Sequence, residues 1–270
     1  MAQEMQVRYV SAYSFDAKWV GEFEIVMDQI RAPGYYRSND KFSPKKWIFR
    51  WYHVEEGSVQ IAGTDNRLGY NAKSKEYWIE PPENHDAMNK EEATSESEEN
   101  KMNPEQPFIN NLLTSFNESI FDGDESKPLI NRLTSDSLEE VNGFRAKKWT
   151  TTISTDETKM VIEEWMVENL LLKDTFYSYY IGSDDKDIPS ISSNDFIKDI
   201  DSTSFIDAID GDIVKAKLVV ESDNAWVKAM EFEIRELYTV PFDALSFAIP
   251  EDYERVEEPN RSWSNKNEPN

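Results

Sequence analysis

The chain contains no cysteine. That removes disulfides, thiolate zinc centres and cysteine nucleophiles, and it leaves the compartment open. Histidine is nearly as scarce, with His53 and His85 the only two in 270 residues. A Ser-His-Asp triad or an imidazole metal site would have to use one of them, and no G-x-S-x-G elbow is present to carry a nucleophile. Glycine is low, at 9 residues, which leaves little material for phosphate-cradling loops. No apolar run approaches the roughly 20 residues that a membrane-spanning helix needs. The opening stretch MAQEMQVRYV lacks the apolar core of a signal peptide. The expectation is a cytoplasmic protein or a chain that begins after a removed signal.

What is present is aromatic and acidic. Phe, Trp and Tyr make up 13% of the chain, too many for a mostly disordered protein. Against 29 Lys and Arg stand 53 Asp and Glu, a net charge of −24. Such a surface repels nucleic acid and anionic membrane, and it fits good solubility, a saline habitat or cationic partners alike.

Three zones follow one another. Val7–Pro82 reads as an antiparallel meander. WIFRWYH (Trp47–His53) and EYWIE (Glu76–Glu80) alternate as strands, with turns expected at Gly57, at Thr64-Asp65-Asn66 and over Asn71–Ser74. Glu83–Gln106 is almost devoid of apolar residues and reads as a solvated acidic insertion within residues 83–106. From Pro107 to Val256 helices and strands mix. Phe108, Leu112, Phe116 and Ile120 form one stripe of a helix over Phe108–Phe121. A helix is expected over Glu168–Ile181. Another is expected over Ser193–Ile209, capped by Ser193 or Asn194 and closed at Asp210-Gly211. Asn142-Gly143 and Asp156-Glu157 are turn signals.

The last two strands carry the clearest pattern. Val214, Ala216, Leu218 and Val220 share one face, as do Met230, Phe232 and Ile234, and Ser222–Ala225 joins the strands. After them Pro241 and Pro250 oppose continued pairing, while Phe242, Leu245, Phe247 and Tyr253 are expected to pack back over the sheet. The fold class expected is α+β. One domain over 1–256 would hold a strongly curved antiparallel sheet of about eight to eleven strands. Three helices would lie on its concave side, and a polar tail would occupy 257–270.

Gly143 followed by Lys147-Lys148-Trp149, then Trp165, Gly211 and the run Phe247-x-x-Pro250-x-x-Tyr253 carry a resemblance. In their order along the chain they resemble a group of bacterial domains of unknown function (DUF4412). That group is similar in architecture to the periplasmic lipoprotein carriers LolA and LolB. The resemblance covers the chain apart from the acidic insertion and the tail. It implies an incomplete β-barrel whose mouth is closed by helices. The chain departs from the group in having no cysteine near Gly143 and in its long insertion.

No residue stands out as catalytic, and no metal or cofactor is expected. FDGDESKPLINRL (Phe121–Leu133) begins like a calcium loop but has Lys127 where glycine belongs and Leu133 where the bidentate glutamate belongs. Asp184-Asp185-Lys186-Asp187 reads as a solvated loop, and chance pairs of acids are too common to single out a hydrolytic dyad. The aromatic set is more informative. Trp19, Phe23, Trp47, Phe49, Trp51, Trp78, Trp149, Trp165, Phe176 and Tyr180 either fill an ordinary core or line a cavity for a hydrophobic ligand. Two functions stay open. One is a non-enzymatic, envelope-associated module binding lipid or lipoprotein acyl chains. The other is an interaction domain with a filled core and an acidic face for a basic protein. The first implies a periplasmic or secreted location, with the cytoplasm left open, and no transmembrane segment.

Overall fold

The computed structural model describes residues 4–18, 21–46, 53–64, 67–80, 127–179, 191–200, 206–222 and 225–257. The strands are β1 (Met5–Ala17), β2 (Gly21–Ala32), β3 (Tyr35–Pro44), β4 (Val54–Ile61), β5 (Arg67–Asn71), β6 (Glu76–Glu80), β7 (Leu129–Val141), β8 (Phe144–Ser154), β9 (Lys159–Val167), β10 (Asp212–Glu221), β11 (Val227–Pro241) and β12 (Glu254–Arg255). They form one sheet in the order β12-β6-β5-β4-β3-β2-β1-β11-β10-β9-β8-β7. Every pairing is antiparallel except β12 with β6. The sheet is not closed into a barrel, because β7 and β12 end it on either side. Where β1 meets β11 the register slips, so that Val10 opposes Glu236 and Ser11 opposes Ile234. The unmatched Arg235 makes a bulge there, a device that sharpens local twist.

Period-2 alternation and this register define two faces. We call inner the face carrying Tyr9, Tyr13, Ile162, Leu218 and Ile234. The main core lies on it and buries Phe15, Phe23, Ile153, Met160, Met230 and Phe232 as well. Two short helices pack there: α1 (Leu171–Ser178) and α2 (Ser193–Ile200). Phe176 of α1 is fully buried, with its ring 5.3 Å from Tyr9. Phe196 and Ile197 of α2 join the same core. Each helix start is held by a carboxylate reaching from the sheet, where it meets free backbone N–H groups. Asp212 accepts from Leu170 N at 2.8 Å and from Lys173 Nζ at 2.7 Å. Glu164, 1% exposed, accepts from the backbone N–H and the hydroxyl of Ser193.

A second, smaller core sits on the outer face at the other end of the sheet. The C-terminal segment folds back so that Phe247 packs with Ala32, Val59 and Tyr70, flanked by Tyr35, Phe242 and Tyr253. A 3-10 turn over Ala244–Phe247 shapes the segment, with Asp243 capping it through Leu245 N at 3.0 Å.

Several expectations need correction. Gly57 is not at a turn but inside β4. A Cβ there would lie 2.1 Å from the carbonyl oxygen of Ser38 and 2.4 Å from the Tyr70 ring, so glycine serves close approach rather than reversal. Among the described residues the strands number twelve, since the chain after Pro250 adds β12 in parallel to β6. β11 ends at Pro241, opposite Met5, in keeping with that residue's missing N–H. Leu245 does not pack back and is 78% exposed. The helices are shorter than expected, and residues 206–209 belong to no regular element. The cap of α2 is Ser192, whose hydroxyl receives Asn194 N at 3.2 Å. Asn194 instead clasps Ile209, accepting from its N–H and donating to its carbonyl. The end of the calcium-like stretch, Leu129–Leu133, is strand and offers no twelve-residue loop. Two helices pack on the inner face among the described residues, and a cover over the whole of that face is not seen. The expected helix over Phe108–Phe121, the insertion 83–106, the strand at Trp47–Tyr52 and the acids Asp184–Asp187 lie outside the described residues, as does His85.

Candidate functional site

The inner face changes character along the sheet. Across β1, β11, β10 and β9 it is apolar and packed. Across β3 to β6, joined by Gln29 and Arg31 of β2, the same face is largely polar, and the ladder registers show how. One row of opposed residues runs Tyr9, Gln29, Ser38, Ser58, Gly69, Trp78. The next runs Ser11, Met27, Asp40, Glu56, Asn71, Glu76. Beside them Val7 opposes Arg31, Arg31 opposes Tyr36, and Tyr36 opposes Gln60. Arg67 and Glu80 face each other at the end of β5 and β6.

These groups are largely knitted together. Ser38 and Ser58 hydroxyls lie 3.1 Å apart, and Arg67 donates to Ser58 Oγ at 3.1 Å. Arg67 Nε pairs with Glu80 Oε2 at 2.9 Å, and Asn71 donates to Glu56 at 3.0 Å. Trp78 lies flat over Gly69, where a Cβ would come within 2.4 Å of the indole. The Arg31 guanidinium, 1% exposed, stacks over the Phe176 ring at 4.2 Å and the Tyr36 ring at 5.1 Å. It thus stands at the seam between the polar rows and α1.

Two acceptors stand apart. Asp40 Oδ1 and Gln29 Oε1 are shut off from solvent and have no hydrogen-bond partner among the described residues. They are diagonal neighbours across β2 and β3. Burial pushes the Asp40 carboxyl up to about 7; Arg67 opposes the rise, and Glu56 adds to it. Burial also raises the Tyr36 phenol. Buried acceptors of this kind cost on the order of 1–3 kcal/mol each when unmet. The arrangement can accept hydrogen bonds from a polar group set against the sheet. Just beyond it the inner face turns aromatic again: Phe42 sits one row from Asp40, and its ring lies 5.5 Å from that of Phe23.

The ten aromatic candidates divide. Phe23, Trp165 and Phe176 are buried members of the main core. Trp78 lies on the polar rows, and Trp149 is half-buried on the inner face opposite Glu164. Trp165 also meets Lys148 and Lys215, and its indole donates to Glu139 at 2.7 Å. Trp19, Trp47, Phe49, Trp51 and Tyr180 lie outside the described residues. Sequence reading passed over Gln29, Arg31, Asp40 and Arg67. A signal existed in β3, where Tyr36, Ser38, Asp40 and Phe42 alternate, but only pairing tells which face they share.

Among the described residues, hollows lie away from these rows. One of about 490 Å³ lies between the C-terminal segment and β4–β6, lined by Ile61, Leu68, Tyr77, Ile249 and Tyr253 among others. One of about 480 Å³ at the strand ends gathers Lys18, Lys45, Lys46 and Lys228 around Glu22. Among the described residues no three His, Asp or Glu converge to hold a metal, and no helix is long and apolar enough to cross a membrane. The His53 imidazole Nδ1 lies 3.4 Å from Ser43 Oγ. No protein-family model matches this chain, and no curated protein matches it either.

Proposed function

We propose that this protein is a non-enzymatic, envelope-associated binding module of the lipoprotein-carrier type. It holds a hydrophobic or lipidated ligand on the concave inner side of an incomplete β-barrel. The observation that carries this reading is the pair of buried acceptors, Asp40 Oδ1 and Gln29 Oε1, set next to the aromatic stretch Phe42–Phe23. A ligand with an apolar body and a hydrogen-bond-donating end, such as a hydroxylated or amide-bearing lipid, satisfies both parts. The apolar half of the inner face is occupied by Phe176 and Phe196, so the ligand would lie towards β2–β6. The acidic charge of the chain suits a neutral or cationic polar end better than an anionic one.

The second reading, an interaction domain with a filled core and an acidic face for a basic partner, draws support from the full burial of Tyr13, Phe176 and Ile234. Native mass spectrometry of the protein purified from cells separates the two. A lipid mass that accompanies the wild-type chain and is lost in Gln29→Leu supports the binding module. A bare chain, with tryptophan fluorescence unmoved by saturating brominated fatty alcohol, sinks it in favour of the filled core.

A further inference from the structure

The strand β7 ends the sheet and pairs only with β8, so its outer edge has no ladder partner among the described residues. Edge strands are commonly guarded by lysine, proline or inward charge. Here Lys127 and Pro128 lead into the strand and Arg132 points inward, but the strand also exposes leucines: Leu129 is 71% and Leu133 62% exposed. Asn131 lies between them on the same face, also exposed, because Leu129, Asn131 and Leu133 oppose Ser154, Thr152 and Thr150. Acids make up 53 of 270 residues, yet Lys127–Ser135 contains none. Arg132 points to the inner face, where it donates to Thr151 Oγ1, Ser193 Oγ and the Asp207 carbonyl.

We propose that two copies of this chain pair edge to edge through β7, antiparallel, across a two-fold axis at Asn131. That axis sets Leu129 of each copy opposite Leu133 of the other, so the exposed leucines pair across the seam on one face. On the other face Ile130 meets Arg132 of the second copy, and no like charges oppose each other. Elsewhere the acidity of the chain would resist self-association. The acid-free stretch is where two copies approach without that penalty. The register slip between Thr134 and Leu138 confines the pairing to the first half of β7. So short a contact falls below the roughly 1,600 Å² of a standard interface, and the dimer is reversible.

The absence of cysteine makes the test clean. Asn131→Cys in the full chain should cross-link to its mate under mild oxidation, while Leu171→Cys, also on an exposed position, in α1, should not. Sedimentation of the wild type should show a concentration-dependent dimer, and Leu133→Lys should weaken it by about tenfold or more with the melting temperature unchanged. A monomer at every concentration up to the millimolar range overturns the proposal. So does a dimer that Leu133→Lys leaves intact, or cross-linking that is equal at both cysteine positions.

Discussion

Across β9, β10, β11 and β1 the inner face is a dry core, while across β3 to β6 the same face is lined by Ser38, Asp40, Ser58, Asn71 and Arg67. The outer face shows the reverse. Over β2, β1, β11 and β10 it carries ion pairs: Arg8 with Asp28 at 2.7 Å, Arg235 with Glu24 at 2.6 Å and Lys215 with Glu231 at 2.7 Å. Over β4 and β5 it is covered by Phe247 and its neighbours. A continuous sheet therefore switches the side on which it buries apolar groups. The switch happens without a change of strand direction or a break in pairing. It is made by exchanging which parity of each strand is apolar, Tyr9 and Tyr13 in β1 but Val59 and Ile61 in β4. What this teaches is that the polar inner rows are not solvent-facing by default. They stand beside a core and keep acceptors away from water, which is why they draw a ligand reading.

The comparison breaks most sharply at Phe176, which plugs the apolar half and also stacks on Arg31. Phe176→Ala should cost about 3–5 kcal/mol in denaturant unfolding. A loss below 1 kcal/mol would mean that α1 is not part of the core.

Gly57→Ala tests the other half. The added methyl meets the Ser38 carbonyl and the Tyr70 ring, whose hydroxyl donates to that same carbonyl at 2.8 Å. Overpacking here should destabilise by about 1–3 kcal/mol. In hydrogen exchange it should open β3–β5 and the C-terminal segment while β9–β11 stay protected. Uniform loss of protection would show that the two cores unfold as one unit.

Asp40→Asn should have the smallest effect, and one that depends on pH. The folded carboxyl holds its proton up to about pH 7, whereas the unfolded one releases it near 3.8. Stability from this group is therefore full below the unfolded value and is lost as pH rises towards 7. The variant should match wild type at pH 4 and be more stable at pH 8 by on the order of 2 kcal/mol, about half the full linkage, since the amide is also buried. Equal stability differences at both pH values would mean that Asp40 is solvated.

Much of the fold was legible along the chain. The alternation in DIVKAKLVVE and MEFEIREL fixes the inner face of β10 and β11, because a half-buried strand must repeat every two residues. Asn142-Gly143 makes a hairpin because both residues adopt positive φ, at 49° and 84°. Phe247 and Tyr253 anchor a returning segment because an apolar residue after the last strand must find another surface. The candidate site was not legible. Asp28, Gln29 and Arg31 all interrupt β2, and nothing local says that Gln29 and Arg31 point inward while Asp28 pairs with Arg8 outside.

The sequence by itself determined the strands, most of the turns, the charge and the chemistry that is missing, since each of these depends on residue types or on neighbours within a few positions. Tertiary structure decided which face is buried where. It brought Arg31 under Phe176, Asp40 beside Gln29, and Trp165 into a buried position that also meets Lys148 and Lys215. Those placements depend on register between strands far apart in the chain, and a shift of one residue would have sent every one of them to the opposite face.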